Sequence, residues 1–164
     1  MHQHTRRAAI CAVLLSLSAG LPAASQERSV SSPPKTVVFV CEHGAARSVI
    51  AAAWFNKLAA EKHLAYHAVA RGVTPQEELS TSTVAGLRRE GVDFAADKPS
   101  GLTKSEADSA VRVMAFFALP SSMKPKRPES TFEVPAPGDG YDQSRDAILV
   151  HVRALLDNLQ GKQK

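Results

Sequence analysis

The chain has 164 residues with 20 Lys/Arg against 16 Asp/Glu, a formal net charge of +4, and two cysteines. That length allows one domain. A weak positive balance without a Lys/Arg-dense run argues against nucleic acid as a partner.

The first 25 residues, "MHQHTRRAAICAVLLSLSAGLPAAS", read as a leader. Arg6 and Arg7 give a basic start, an apolar run follows from Ala8 to about Leu21, and the small residues Ala23, Ala24 and Ser25 precede Gln26. This is the order of a secretory signal peptide, with cleavage expected near Ser25–Gln26. The apolar run is short of the roughly 20 residues that span a bilayer. An anchor that is never cleaved is the alternative. Cys11 lies too close to Arg7 for a lipoprotein signal. The mature chain is therefore expected to be periplasmic or secreted, meeting a membrane only through the leader before cleavage. Removing the leader takes away Arg6, Arg7 and Cys11, which lowers the net charge from +4 to +2 and leaves Cys41 as the sole cysteine. A lone cysteine forms no intramolecular disulfide, so Cys41 is either a buried small hydrophobe or a reactive thiol.

Residues 26–35, "QERSVSSPPK", are polar and proline-rich and read as a tether, followed by one domain over 36–160. "TVVFV" (36–40) is a β-branched run suited to a strand covered on both faces. Cys41 to Ala46 is a tight loop. A helix is expected from Arg47 to about His63, with Ile50, Trp54 and Leu58 at helical spacing. A second strand is expected over 66–70. A helix follows over 79–90, stopped by Gly91. Thr103 can cap a short helix with Glu106 at the capping-box position. A third strand is expected over 111–119, a fourth in "TFEVP" (131–135), and a closing helix over 143–159 with Ile148, Val152, Leu155 and Leu159 on one face. Strands alternating with helices predict an α/β fold: a three-layer sandwich with a central four-stranded parallel sheet and helices on both faces.

The chemistry concentrates in "CEHGAARS", residues 41–48. Ligands of open parallel sheets bind beyond the carboxyl ends of the strands, where Cys41 stands. The helix starting near Arg47 aims unpaired N–H groups back at the loop, and its dipole adds positive potential. Successive loop amides can form an anion nest. Gly44 permits backbone angles closed to other residues. Ala45 and Ala46 keep the rim uncrowded. Arg47 brings a planar fork able to grip two oxygens of a phosphate-like group. Such positive surroundings favour a thiolate, and Ser48 can donate to it. The bland alternative is a buried cysteine with Arg47 solvated on the helix.

This loop resembles the phosphate-binding loop of the low-molecular-weight protein tyrosine phosphatases and of the arsenate reductases built on the same fold. "ARGV" (70–73), "GLRREGVDF" (86–94) and "DKPSGLT" (97–103) extend the likeness along most of the mature chain. Conventional tyrosine phosphatases share the Cys-x5-Arg spacing, but their loop comes late in a larger domain. The resemblance implies Cys41 as nucleophile, Ser48 as its thiolate partner, and Arg47 with the backbone of Glu42, His43, Gly44, Ala45 and Ala46 as the phosphate cradle. No cofactor and no metal are expected.

The chain departs from that family's pattern in three places. His43 and Gly44 stand where the family loop usually reads Gly-Asn, and Ala46 stands where a second cysteine is frequent. The extra cysteines of thioredoxin-linked arsenate reductases are missing. Ala136-Pro137 occupies the place of the family's Asp-Pro, whose aspartic acid protonates the leaving phenolate. Asp139 is the candidate substitute, with Asp142 as an alternative on a loop made pliable by Gly138 and Gly140; a solvated turn carboxylate is the competing reading of both. His43 could act at the rim or merely position the loop.

Three functions follow. The first is an exported phosphatase acting on a phosphorylated small molecule or phosphoprotein through a phosphocysteine, with phosphotyrosine suggested by the resemblance. The second is a single-cysteine arsenate reductase resolved by a small thiol. The third is an oxyanion-binding module without turnover.

Overall fold

A computed structural model describes residues 34–95, 97–135 and 140–161. The expected leader, nearly all of the tether, and the 136–139 stretch holding Asp139 lie outside the described residues. The chain runs β1 (Lys35–Cys41), α1 (Arg47–Glu61), β2 (Tyr66–Gly72), α2 (Thr81–Arg89), α3 (Lys104–Ser109), β3 (Arg112–Ala115), β4 (Ser130–Thr131) and α4 (Tyr141–Gly161), with one 3-10 turn at Ser121–Met123. The strands form one sheet in the order β2-β1-β3-β4, every pairing parallel. The expected α/β layering is therefore present.

β1 is central, and its sequence says why. Val37 to Cys41 are all buried, and alternation divides them between two cores. Val37, Phe39 and Cys41 face α1, α2 and α4, packing with Phe55, Leu87, Ile148 and Leu156. Val38 and Val40 face the other way, against Leu102, Ala107, Ala110 and Leu119. The two outer layers are unequal: α1 and α4 cover one face, whereas the six-residue α3 and its flanking connections cover the other. Thr103 caps α3 through the expected reciprocal box with Glu106.

α1 buries a wider face than Ile50, Trp54 and Leu58 suggested. Val49, Ile50, Ala51, Ala52, Ala53, Phe55 and Ala59 are buried, while Trp54 and Leu58 are only partly so. Alanines let the helix lie close to β1 and β2, so even its flanks lose water. α4 buries Ile148, Leu149, Val152, Leu155, Leu156 and Leu159. At about 2 kcal/mol for each buried aliphatic side chain, that packing outweighs the few tenths of a kcal/mol at stake in intrinsic propensity at each exposed position.

Two strands are shorter than the hydrophobic pattern predicted. β3 stops at Ala115, not 119. The Phe116 amide still donates to the Val40 carbonyl, but β1 leaves the sheet after Cys41, so the following residues have no partner to pair with. β4 is two residues long instead of spanning 131–135. Phe132 and Val134 are buried without pairing as strand. Burial and pairing leave the same mark on a sequence; here burial alone accounts for the apolar run.

Candidate active site

The order β2-β1-β3 makes β1 the point where consecutive connections leave in opposite directions, and the crevice beyond its carboxyl end is where such sheets hold ligands. A cavity of about 250 Å³ opens there, lined by Cys41, Glu42, His43, Ala45, Ala46, Arg47, Gln76 and Ser80.

The loop is shaped from outside. Residues 73–80 run alongside it and take its carbonyls one after another: Val73 N donates to Cys41 O (3.1 Å), Thr74 N to Glu42 O (2.8 Å), Gln76 N to His43 O (3.2 Å) and Ser80 N to Ala45 O (3.0 Å). The Ala46 carbonyl accepts from Ile50 N in the first turn of α1. With those carbonyls committed, the amides of residues 42–46 donate to no backbone carbonyl among the described residues. Those of Glu42, His43, Ala45 and Ala46 belong to residues lining the cavity, and a row of open donors there suits an anion.

Two glycines make this course possible. Gly44 has φ +66°, and a Cβ on it would lie 2.8 Å from Gly72 N; a Cβ on Gly72 would meet Gly44 N at 2.6 Å. The loop crosses β2's end at a separation only a pair of glycines permits. Gly72 is anchored in turn by its amide to Ser100 O and its carbonyl from Leu102 N, both 2.8 Å. Just before it, Arg71 pairs with Glu106 through Nε (2.9 Å) and Nη2 (2.6 Å). That Arg71 bond, aided by Thr103, holds the Glu106 carboxyl below its ordinary pKa against the opposing cost of burial.

α1 starts without the usual cap. Its N-cap is Ala46, no side chain bonds its first amides, and no acidic residue stands in its first turn. Ser, Thr, Asp or Asn is the usual choice there; breaking that local rule leaves the positive helix end open toward the cavity. Ser80, the N-cap of α2, also lines the cavity.

Cys41 sits on the floor, 4% exposed. Its Sγ lies 3.1 Å from Ser48 Oγ, a contact enclosed from water by the fully buried Ser48. Ser48 is thus beneath the floor and not on the cavity wall. Gly44 likewise turns away, lining a second cavity on the β2 side instead. The Arg47 guanidinium lies over the Phe116 ring, with Cζ 5.4 Å from the centroid. His43 is exposed at the rim, its Nδ1 3.2 Å from the Thr74 carbonyl. A carbonyl only accepts, so Nδ1 is the donor in this contact.

The loop residues expected from sequence are therefore brought together. Asp142 is not: it stands at the start of α4, paired with Arg89 at 2.5 Å and near Arg145, and it does not line the cavity. That removes one of the two proposed acids from the site, because α4 begins at Tyr141 and commits Asp142 to the α2–α4 corner, where Tyr141 Oη donates to Glu90 at 2.7 Å. Gln76, Ser80 and Phe116 were not anticipated. Ser80 preceding a helix was the one available signal; nothing local distinguishes Gln76 or Phe116.

A family model described as low molecular weight phosphotyrosine protein phosphatase matches residues 36–163. No protein of curated function matches by sequence. Among solved structures, YfkJ from Bacillus subtilis aligns over 81% of this chain and 99% of its own at 22% identity, TM-score 0.68. A thioredoxin-dependent arsenate reductase of Corynebacterium glutamicum aligns over 81% of this chain at 22% identity and TM-score 0.64; the match spans 65% of that longer protein. The arginine phosphatase YwlE, as a cysteine-to-serine variant with a phosphorylated active-site serine, aligns over 76% of this chain and 95% of its own at 22% identity, TM-score 0.67.

Proposed function

We propose, starting from the fact that the chain belongs to the low-molecular-weight phosphotyrosine protein phosphatase family of phosphatase-type hydrolases, that it cleaves phosphomonoesters through a phosphocysteine on Cys41. The observation that carries the reading is the Cys41 sulfur on the floor of a cavity ringed by open amides and by Arg47.

In the first step the Cys41 thiolate attacks phosphorus as the ester P–O bond breaks, and the departing oxygen takes up a proton. In the second, water attacks the same phosphorus, the S–P bond breaks, and inorganic phosphate and the thiolate are released. The loop amides and the Arg47 fork hold the equatorial oxygens, over which charge is spread in both transition states. Ser48 donates to the sulfur whenever it carries charge. The YwlE variant, with phosphate on the serine replacing its active-site cysteine, supports a covalent route in this fold. Phosphotyrosine protein is the substrate the family name suggests. Asp139 is the proposed proton donor to the phenolate.

We further take the chain to act outside the cytoplasm, on the order of basic, apolar and small residues over 1–25. Recovery in the periplasmic fraction with an N-terminus near Gln26 would support export; a cytoplasmic, full-length chain would exclude it.

The chemistry is tested with p-nitrophenyl phosphate, whose leaving group needs little protonation. Turnover by the purified chain and its loss in Cys41→Ser are expected; absence of turnover, or full activity in Cys41→Ser, refutes the reading. A second reading is favoured by Cys41 being the one free cysteine among the described residues and by the reductase-like fold. In it, arsenate replaces phosphate, a small thiol attacks the Cys41 sulfur, the S–As bond breaks to release arsenite, and a second thiol reduces the resulting mixed disulfide to free Cys41. Arsenate-dependent oxidation of added glutathione tests it, and no oxidation with several thiols excludes it.

A further inference from the structure

Among the described residues Arg47 is the one Lys or Arg lining the cavity, yet no carboxylate or carbonyl bonds its guanidinium. What it rests on is the Phe116 ring, with Cζ 5.4 Å from the centroid. Phe116 is 3% exposed and does not line the cavity. Its ring packs against Phe132 at 4.7 Å between centroids, tilted by 59°, and Phe132 stacks on His151 of α4 at 4.3 Å and 24°. Three rings in series thus run from the closing helix to the arginine of the loop.

We infer that Phe116, braced by Phe132 and His151, is the positioning residue that aims the Arg47 fork at the bound oxyanion. The assignment rests on Arg47 gripping the oxyanion as proposed above. A guanidinium carries its five N–H groups in its plane and none on its faces. A carboxylate would orient it by taking two of those donors and would cancel part of its charge. An aromatic ring under the face takes no donor and leaves the charge in place, while cation–π attraction limits where the group can swing. The ring therefore orients Arg47 and leaves its fork open for two oxygens of a phosphate-like ligand. The neighbouring rings matter because a phenyl group free to turn is a poor shelf. Phe132 packs against Phe116, and His151 stacks on Phe132.

This shelf is built from the pieces that the strand pattern misjudged. Phe116 lies one residue beyond β3, and Phe132 one residue beyond β4. Each keeps one main-chain bond to the sheet, Phe116 N to Val40 O and Phe132 N to Ala115 O, and their rings meet just past the strand ends.

The test compares the full chain with Phe116→Leu, Phe116→Tyr and Phe132→Leu in two measurements. The first is inhibition of aryl phosphate hydrolysis by vanadate, with phosphate binding by calorimetry if hydrolysis is absent. Phe116→Leu is expected to weaken vanadate binding and lower kcat/KM by about 5- to 30-fold, the range that cation–π attraction sustains. Phe116→Tyr, which keeps the ring, is expected to restore both to within about 2-fold on the same reasoning. Phe132→Leu should fall between them. A merely structural role would reduce the active fraction, lowering kcat with the vanadate constant unchanged, and that result overturns the inference. The second measurement needs no activity: the Nε–H resonance of Arg47, assigned by its loss in Arg47→Lys, should carry an upfield ring-current shift that disappears in Phe116→Leu and persists in Phe116→Tyr. A present shift in a chain without turnover refutes the hydrolase reading but sustains the shelf. An absent shift in an active chain refutes the shelf alone. Should Phe116→Leu fail to fold, Phe132→Leu carries both measurements, and unchanged values there overturn the inference.

Discussion

The loop at Cys41 is held differently on its two flanks. Toward β2, the support is main chain: four amides of residues 73–80 take four carbonyls of residues 41–45, and two glycines let the strands of chain touch. Toward β3, the support is side chain: Phe116, Phe132 and His151 stack behind Arg47. The difference teaches what each flank can tolerate. Main-chain support is indifferent to most substitutions and fails only where a Cβ enters a space reserved for hydrogen. Side-chain support depends on the identity of each ring.

The largest effect that would sharpen this contrast is on the main-chain flank. Gly72→Ala puts a Cβ 2.6 Å from Gly44 N, and backbone cannot step aside as a flexible side chain would. A loss of about 3 kcal/mol in chemical denaturation is expected, in the upper range for overpacking, together with loss of turnover. Near-wild-type stability would mean that the flank yields more easily than its geometry implies.

Next comes the floor that the flanks share. Ser48→Ala removes the one side-chain hydrogen bond to Cys41 among the described residues. A bond to a charged partner contributes about 1.5–3 kcal/mol, so kcat for p-nitrophenyl phosphate should drop about 10- to 100-fold at little cost to folding. A fold-change under about 3, less than half of that range in free energy, would remove Ser48 from the chemistry.

A smaller effect concerns the footing of the main-chain flank. Glu106 ties Arg71 and Thr103 across the start of the 73–80 segment. Its carboxyl pKa is lowered, chiefly by the Arg71 hydrogen bond. A depressed folded-state pKa stabilises above the unfolded value and loses that contribution as pH falls through the folded one. Glu106→Gln should therefore cost about 1 kcal/mol at pH 7, discounted for partial exposure. The difference from the parent chain should shrink toward zero in acid. A pH-independent difference would deny the ion pair its part.

The smallest effect is the most diagnostic of main-chain support. Gln76 donates its amide to His43 O, while its side chain reaches only the carbonyl of Glu78. Gln76→Ala is expected to change stability by less than about 0.5 kcal/mol, as surface substitutions do. It should also leave vanadate affinity unaltered. A large loss would show that the flank works through side chains after all.

The fold was largely legible because β1 and α1 carry patterns that local physics enforces: an unbroken buried strand, a glycine-bearing turn, and an alanine-rich helix. The strands that misled were β3 and β4, whose apolar residues serve packing past the point where a neighbour is available to pair. The nucleophile, the arginine and the serine were legible because one strand–loop–helix unit holds all three within eight residues. Asp142, the alternative acid, falls to the competing reading of an exposed carboxylate, and its place in sequence gave no sign of Arg89, 53 residues away, which pairs with it.

What chain order alone established is the identity and spacing of the reactive groups, since a loop of five residues between Cys41 and Arg47 constrains them whatever surrounds it. What required the folded molecule is their aim. The carbonyls turn outward because residues 73–80 wait for them, and the guanidinium is steadied by rings more than 60 residues along the chain. Contacts over such separations depend on how strands order themselves in the sheet, and no local pattern encodes that order.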